Sequence, residues 1–311
     1  MPRVSVLINA FNSAATLGAA IDSALSQSVP DLELVVYDNG STDGTQSIVR
    51  GYSDTRIRYI QGGQTVILGE ARNRIMEAAQ GEYLAFLDSD DVWLPRKLEK
   101  QIDLIERTGV GLVFTGAIRH HADDGTSIDH FRYMGHHPDR HLLFGDLLRC
   151  YTVVNSSVLF RREALESQPV WVDCSLRVCT DFDLFMRLIH CSGGDFVDDQ
   201  LTLYNVTTGS TSAIYQDAIA GELSQSIDRM LAWWPEIANK NAEDLRAFRR
   251  NIDFQHAKRF WRNGRTDDAR RYLLPHLSSL RCALAFIGTG ISYDTAMWFW
   301  SQYQRMRRRS V

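Results

Sequence analysis

Several features that would point to an exported or membrane-spanning protein are missing from this sequence of 311 residues. The five cysteines are odd in number and form no CxxC pair, so we expect neither a disulfide framework nor a zinc ribbon, and a reducing cytoplasm is the favoured location. The first residues run straight into an apolar strand, so we expect no signal peptide. The longest apolar stretch, from Cys282 to Tyr303, is interrupted by Asp294, so we expect no transmembrane helix.

Two common catalytic patterns are also absent from the sequence. Neither a phosphate-cradling P-loop nor a Ser-His-Asp order can be picked out. The loop after the first predicted strand, "NAFNSAATLG", contains no arginine or lysine, which argues against a nucleotidyltransferase. We expect no nucleic-acid partner.

Charge is unevenly distributed along the chain. The formal net charge is -4, but from Gln255 onward 11 Lys and Arg residues stand against 3 Asp, which gives +8 there and leaves -12 before it. The basic end carries Arg305 and Arg307 to Arg309 close to the aromatic residues Trp298, Phe299, Trp300 and Tyr303. Such a segment suits peripheral contact with anionic lipid headgroups, and an ordinary basic helix end explains it equally well.

Apolar periodicity predicts alternating strands and helices. The predicted strands cover residues 4–8, 34–37, 57–60, 83–87, 111–114 and 157–160, with a final extended piece at 201–206. The predicted helices cover residues 17–28, 45–52, 69–80, 95–109 with Pro95 in the first turn, 139–149 and 181–191. This alternation predicts an α/β fold with a Rossmann-like, mostly parallel sheet flanked by helices. Its ligand crevice should lie beyond the carboxyl ends of the strands.

The chain is predicted to divide into an α/β domain, residues 1–210, and a helical C-terminal region, residues 211–311. Within the first domain, residues 118–141 are polar and aperiodic, which predicts an irregular insert that interrupts the sheet. The insert contains six of the nine histidines, but their spacing matches no known metal site. We therefore interpret it as a solvated loop.

The stretch "FLDSDD", residues 86–91, places three carboxylates within four positions at the end of a predicted strand. Like charges this close raise one another's pKa unless a cation lies among them. Alternate side chains of a strand share a face, so Asp88 and Asp90 can converge on one point. Mg²⁺ and Mn²⁺ prefer carboxylate oxygen, so the pair predicts a site for one of these ions. The alternative, capping of the following helix, suits Asp91.

A second acidic turn, "DNGSTDGT", begins at Asp38 and again follows a predicted strand. Gly40 and Gly44 permit turn geometry, and Asp43 or Thr42 can cap the next helix. Asp38 has none of these turn or capping roles, and its carboxylate can accept a hydrogen bond from a base N–H or a ribose hydroxyl. Taken alone, the stretch fits turn chemistry and a nucleotide site equally well.

Six motifs in order make the chain from Val4 to Gly209 resemble a family 2 glycosyltransferase of the GT-A fold. They are "NAFN" from Asn9, "DNGSTDGT" from Asp38, "GEARN" from Gly69, "GEYLAFLDSDD" from Gly81, "SSVLFRREAL" from Ser156 and "TDFDLFMRL" from Thr180. The resemblance implies a metal-dependent inverting enzyme that moves a sugar from a nucleotide-sugar donor, with a UDP-sugar favoured, to a hydroxyl of a glycan or lipid-linked glycan. Residues 211–311 would then face the acceptor or the cytoplasmic side of a membrane.

The resemblance also implies roles for particular residues, each on a position that matches a family motif. Asp38 would lie near the base, with Phe11 against that base, and Asp88 near the ribose. Asp90 of the DxD motif, with Asp88 beside it, would hold Mn²⁺ or Mg²⁺. Arg72 is similar to an arginine that lines the nucleotide pocket, the alternative being a surface helix arginine. Asp181 falls on the position of the catalytic base, at a helix N-terminus that favours the ionised carboxylate, and Asp183 is the bystander.

Four residues depart from the family pattern. Thr180 replaces the usual glutamate before the base, Asn9 stands where proline is common, and Asn205 and Thr207 stand where arginine and histidine are frequent. If that last loop normally helps to hold the diphosphate, donor binding here uses other residues or is weaker. These departures leave a second hypothesis open, a non-catalytic nucleotide-sugar-binding or assembly protein derived from such an enzyme.

Overall fold

The computed structural model describes residues 2–121, 125–140, 143–206 and 210–296. The chain forms two compact units, Met1–Gln216 and Asp217–Val311. The strands of the first unit are β1 (Val4–Ala10), β2 (Leu32–Asp38), β3 (Ile57–Gln61), β4 (Tyr83–Phe86), β5 (Val92–Trp93), β6 (Leu112–His121), β7 (Thr126–Asp129), β8 (Leu159–Arg161) and β9 (Gly194–Val206). Its helices up to the end of the sheet are α1 (Leu17–Leu25), α2 (Thr45–Arg50), α3 (Leu68–Ala78), α4 (Lys97–Thr108), α5 (His130–Met134), α6 (Leu143–Arg149), α7 (Arg162–Glu166) and α8 (Thr180–Ser192).

The described strands form one sheet in the order β3-β2-β1-β4-β8-β6-β9-β5, with β7 paired to β6. The first four are parallel throughout, as the predicted βα alternation requires. In the other half, β8 is antiparallel to both of its neighbours, while β6 and β9 run parallel to each other. The fold is therefore α/β, as predicted. Its parallel half brings the carboxyl ends of β1, β2 and β4 to one edge.

Apolar side chains alternate along β1 and bury one face of the sheet. Val4, Val6 and Ile8 are fully buried in a cluster that also contains α1 and α4 residues. Both helices present apolar positions at three- and four-residue spacing, which gives each an apolar stripe facing this side of the sheet. Burial of a Leu or Ile side chain stabilises the fold by about 1.5–3 kcal/mol, so these stripes fix the frame that carries the site.

Aromatic packing and the buried Arg187 guanidinium hold helix α8 against the rest of the first unit. The ring of Phe185 lies 6.2 Å from that of Phe86, centroid to centroid. Arg187 Nη2 lies 2.9 Å from Asp183 Oδ2, with both side chains fully buried, and its guanidinium also donates to the carbonyl oxygen of Val170. Asp183 is therefore a structural residue, consistent with the interpretation that it takes no part in the chemistry. These contacts hold in place the first turn of α8, which contains Asp181.

The structure corrects two sequence predictions near the sheet. Pro95 lies before helix α4 rather than in its first turn, because Arg96 adopts a left-handed conformation (φ 66°) and the helix starts at Lys97. The predicted irregular insert is largely ordered among the described residues: β6 continues to His121, β7 returns beside it, and α5 follows. Polar residues on both faces of this hairpin hide the period-two signal on which strand prediction depends.

The rest of the described chain is helical, as predicted. Its helices are α9 (Thr211–Ile214), α10 (Gln216–Trp233), α11 (Glu236–Lys240), α12 (Ala242–Arg262), α13 (Thr266–Leu273) and α14 (Leu280–Gly288). The second unit has its own small core, which includes Phe254, Trp261 and Leu273. Among the described residues, no helix combines the length and apolar character needed to cross a membrane. The basic aromatic segment 298–309 lies outside the described residues.

Candidate active site

The loops after β1 and β2 are tied together at the carboxyl edge of the sheet. The Asn12 N–H donates to Ser41 Oγ at 2.9 Å, and Asn12 Oδ1 accepts from the Thr42 N–H at 2.9 Å. Asn12 adopts φ 50°, a left-handed conformation that asparagine tolerates better than most residues. The adjoining Phe11 side chain is 51% exposed, although a phenyl ring normally buries itself. A rigid turn thus holds an apolar ring at the surface of the crevice, where a planar ligand can stack on it.

Asp38 ends β2 and is buried. Its Oδ2 accepts from the Tyr59 hydroxyl at 2.7 Å and its Oδ1 accepts from the Ser41 N–H at 2.8 Å. Burial, and then the bond to Asp38, raise the pKa of Tyr59 to about 12, so the phenol remains a donor. A carboxylate can accept about four hydrogen bonds. Asp38 is therefore held in one orientation and keeps acceptor capacity for a ligand.

Arg72 is buried in helix α3, so the alternative of a surface arginine is wrong. Its guanidinium donates to the Thr180 hydroxyl and lies over the Phe86 ring, with Cζ 5.6 Å from the ring centroid. Thr180, which departs from the family glutamate, therefore contacts Arg72 through its hydroxyl group. This bond joins α3 to the start of α8 and places a positive charge beside Asp181.

The Asp88 carboxylate is close enough to Asp90 and to Asp181 to act on each of them electrostatically. Burial raises the pKa of Asp90 to about 6, and the Asp88 carboxylate adds to the rise. Burial also raises the pKa of Asp181, the Arg72 charge opposes that rise, and Asp88 again contributes. Asp88 Oδ1 accepts from Asn155 Nδ2 at 2.8 Å. The structure thus places Asp88 within electrostatic reach of both other sequence-predicted acids, and Arg72 within reach of Asp181.

The pKa of Asp181 shifts opposite to the direction expected from a helix N-terminus. The half-buried carboxylate loses hydration, and this outweighs the effects of Arg72 and of the hydrogen bond from the Phe182 N–H. A raised pKa makes a carboxylate a stronger proton acceptor in its ionised form. The position therefore suits a general base better than the helix dipole alone would make it.

Asp91 is a buried hub of hydrogen bonds and does not have the helix-capping role that its sequence position suggests. It does not cap α4, whose first residues have no side-chain cap. Asp91 is 1% exposed, accepts from the Ser156 hydroxyl, and accepts from the Asn205 N–H at 2.9 Å. Ser156 Oγ also accepts from the Asp88 N–H at 3.0 Å, and Asn205 Nδ2 donates to the carbonyl oxygen of Asp90. Asp91 and its two partners therefore fix the backbone that carries both metal-site candidates.

The residues around Asp88 and Asp90 fit a divalent cation shared with a substrate. Among the described residues, no group of three His, Cys, Asp or Glu side chains comes together as a metal site. Mg²⁺-type ions are often held by one or two carboxylates, with substrate phosphates and waters as the other ligands. Burial, followed by the Asp88 carboxylate, raises the pKa of Asp90, so its ionised form carries a cost that a positive charge nearby would compensate. A cation between Asp88 and Asp90 would supply that compensation.

Solved structures identify the fold of this chain. The chain is similar to S. aureus TarS 1-349 in complex with UDP-GlcNAc, with a TM-score of 0.68, 18% identity and coverage of 97% of this chain and 92% of that chain. It is also similar to the mannosyltransferase PcManGT from Pyrobaculum calidifontis in complex with GDP-Man and Mn²⁺, with a TM-score of 0.65, 18% identity and coverage of 98% and 83%. The fold is therefore the GT-A fold of glycosyltransferases.

The family model for glycosyl transferase family 2 matches residues 5–168, and the chain belongs to that family. The succinoglycan biosynthesis protein ExoO of Rhizobium meliloti is 30% identical over 228 residues, which are 69% of this chain and 64% of ExoO. WfaP of Escherichia coli, a UDP-Glc:alpha-D-GlcNAc-diphosphoundecaprenol beta-1,3-glucosyltransferase, is 40% identical over 106 residues, 34% of this chain and 42% of WfaP. The chain thus spans less than two thirds of the length of these relatives.

Proposed function

We propose that the protein moves a sugar from a UDP-sugar to a hydroxyl group of a glycan or lipid-linked glycan, with inversion at the anomeric carbon and with a divalent cation. The observation that carries this proposal is that Asp88 acts electrostatically on both Asp90 and Asp181, with the buried Arg72 acting on Asp181. In this set Asp88 and Asp90 would form the diphosphate-binding side and Asp181 the proton-accepting side. Family membership and the printed activity of WfaP support the same reaction class.

The donor would lie along the carboxyl edge of β1, β2 and β4. Phe11 would stack on the base and Asp38 would accept a hydrogen bond from it, because Phe11 follows Ala10, which pairs with Asp38 across β1 and β2. Asp88 would contact the ribose. Arg72 would line the pocket, and its fixed position on Thr180 limits the conformational entropy lost when the donor binds.

The diphosphate would be held through Mn²⁺ or Mg²⁺ at Asp90, with Asp88 nearby. When bound, the cation neutralises negative charge that develops on the departing diphosphate. Asn205 and Ser156 hold the backbone of Asp88 and Asp90 through Asp91, so the chain positions its carboxylates before any donor arrives. This arrangement lowers the reorganisation required when the donor binds.

Asp181 would act as the general base. Its carboxylate takes the proton of the acceptor hydroxyl, the oxygen forms a bond to the anomeric carbon, and the bond from that carbon to the diphosphate oxygen breaks on the opposite face. The nucleoside diphosphate leaves with the electron pair of the broken bond. Attack opposite the leaving group inverts the anomeric configuration.

Donor hydrolysis tests the proposal and separates it from a protein that only binds nucleotide sugars. UDP-glucose, UDP-N-acetylglucosamine and GDP-mannose are incubated with the wild-type protein and Mn²⁺, and free sugar is measured. Asp181→Asn should lower turnover by about 100-fold or more, because general-base catalysis contributes 10²–10⁴-fold, while donor affinity by calorimetry stays within about threefold. The control Asp103→Asn removes a carboxylate that is 73% exposed on α4 and should leave both values unchanged. Donor binding without turnover in the wild type would instead support the binding protein.

We also propose that residues 211–311 form the acceptor- or membrane-facing part of a cytoplasmic, peripheral protein. The proposal rests on the +8 charge from residue 255 onward and the aromatic residues near its end. Removing residues 297–311 keeps Cys282 and the rest of the small core of the second unit intact. Loss of co-sedimentation with vesicles that contain anionic lipid is expected, and unaltered co-sedimentation would contradict the proposal.

A further inference from the structure

Helix α14 carries apolar side chains on its inner face and also on its outer face. Cys282 is buried in the small core of the second unit, and Phe286 packs against the same core. On the outer face, Leu280, Leu284 and Ile287 are 72%, 43% and 74% exposed. A surface helix of a globular protein normally presents polar residues to water. The outer face of α14 is therefore an apolar surface that the second unit does not cover.

The exposed apolar residues of this segment form a continuous row. Leu280, Leu284 and Ile287 are four and three positions apart, a spacing that places them on one side of the helix. Leu277 before the helix and Ile291 after it are exposed as well, and we call these five residues the α14 stripe. Scattered apolar residues are normal on a protein surface, whereas a contiguous apolar patch marks an interaction site.

The surroundings of the stripe are basic. Residues 269–293 include three arginines and contain no Asp or Glu. Arg281 lies in the first turn of α14, with its Cζ 3.9 Å from the centroid of the Phe254 ring. Arg270 Nε donates to Thr289 Oγ1 at 2.8 Å, just beyond the last residue of α14. A guanidinium group thus lies near each end of the helix that carries the stripe.

This combination of apolar and basic groups fits an anionic membrane surface better than a second copy of the chain. In a two-fold dimer the same patch meets itself, so the arginines of one stripe would face those of the other. Like charges placed against each other in this way weaken association. A bilayer with anionic lipid offers hydrocarbon to the stripe and negative headgroups to the arginines.

We propose that the α14 stripe inserts into the surface of an anionic membrane, with Arg270, Arg271 and Arg281 among the lipid headgroups. The inference rests on the proposed membrane-facing role of residues 211–311 and deepens it, because it names the surface that makes the apolar contact. The side chains of Leu280 and Ile287 would lie about 5–10 Å deep, at the boundary between headgroups and acyl chains. Helix α14 would then lie along the membrane surface.

Leu280→Gln, Ile287→Gln and the double variant test the stripe, because they remove apolar surface and leave the charge of the protein unchanged. The matched control is Ile67→Gln, which makes the same change at a side chain that is 49% exposed in the first unit. Binding of the full chain to vesicles is measured by co-sedimentation at about 0.1 M and about 0.5 M NaCl. The vesicles contain phosphatidylcholine with about 30% phosphatidylglycerol, or phosphatidylcholine alone. Circular dichroism checks that each variant is folded.

Each single variant should lower the vesicle affinity about 5-fold, and the double variant about 25-fold, since an inserted Leu or Ile side chain leaves water in part. The fold-change should be the same at both salt concentrations, because salt screens charges and does not weaken apolar burial. Ile67→Gln should stay within about twofold of the wild type. At the lower salt concentration the wild type should prefer the vesicles with anionic lipid by about 10-fold or more.

Equal vesicle binding by the wild type and the double variant would overturn the stripe, while the membrane-facing role of residues 211–311 would stand. A loss seen only at the lower salt concentration would also overturn it, because the contact would then be electrostatic. So would a wild-type dimer in analytical ultracentrifugation that the double variant loses, since a second copy would then cover the stripe. Absence of any wild-type binding would overturn the stripe and the membrane-facing role together, and donor hydrolysis would still test sugar transfer separately.

Discussion

Asp90→Asn should stabilise the metal-free protein while removing its response to Mn²⁺. In the wild-type protein, burial and the Asp88 carboxylate raise the pKa of Asp90 from 3.8 to about 6. One pKa unit corresponds to about 1.4 kcal/mol, so ionised Asp90 costs the folded state up to about 3 kcal/mol. Partial solvation of this half-buried group screens the effect, and we expect a gain of about 1–2 kcal/mol in the variant at pH 7.5.

The direction of the Asp90 pKa shift determines how the free energy of unfolding changes with pH. The folded-state pKa lies above the unfolded-state value, so the folded protein binds more protons between about pH 4 and pH 6. The destabilisation is therefore absent below pH 4, grows as the pH rises through this window and is complete above pH 6. Asp90→Asn should exceed the wild type in free energy of unfolding at pH 7.5 and should equal it near pH 4.

Urea denaturation with EDTA measures both points. Asp103→Asn, which changes the same charge at a site that is 73% exposed, should stay within about 0.5 kcal/mol of the wild type at each pH. Addition of Mn²⁺ with UDP should raise the stability of the wild type and of Asp103→Asn but not that of Asp90→Asn. The reasoning fails if Asp90→Asn is the less stable protein at pH 7.5, or if its advantage is the same at both pH values.

Three further changes probe other parts of the structure. Ser156→Ala should lower the free energy of unfolding in urea by about 1–3 kcal/mol, because it leaves the buried Asp91 and the Asp88 N–H each short of a partner; an unchanged stability would show that Asp91 is not a hub. Phe11→Ala should weaken UDP binding about 5- to 10-fold by calorimetry and leave the melting temperature unchanged, since the ring is 51% exposed; unaltered affinity would remove Phe11 from the donor site. Burial lowers the pKa of Lys97 well below its usual value, so the free energy of unfolding of the wild type should rise with pH toward the unfolded-state pKa of 10.5. Lys97→Met should abolish this slope in denaturation experiments between pH 7 and pH 9.5. A slope that persists in the variant would contradict the lowered pKa of Lys97.

The sequence predicted the parallel half of the sheet well because its strands are continuous apolar runs separated by amphipathic helices. Val4, Leu34 and Tyr83 each begin or lie within a strand where the pattern places one. The start of β6 was predicted, but its extension to His121 and the strand β7 were missed because these residues are polar on both faces. The short strand β5, only Val92 and Trp93, is too brief to produce a periodic signal.

The acids of the candidate site could be predicted because they follow strands whose carboxyl ends share an edge. The residues that hold these acids in place could not be predicted. Ser156 and Asn205 lie 65 and 114 positions from Asp91 in the chain, and only the folded sheet reveals that both bind it. Asn205 departs from the family pattern, and the structure shows in addition that its side chain donates to the carbonyl oxygen of Asp90.

The most direct test is a crystal structure of the protein with a UDP-sugar and Mn²⁺, with the ion located by its anomalous scattering. We expect the ion to bind an oxygen of Asp90 at a distance of about 2.2 Å, with the diphosphate as its other main ligand and Asp181 on the opposite side of the sugar. An ion bound away from Asp90, with the diphosphate lying elsewhere, would contradict this assignment of the site.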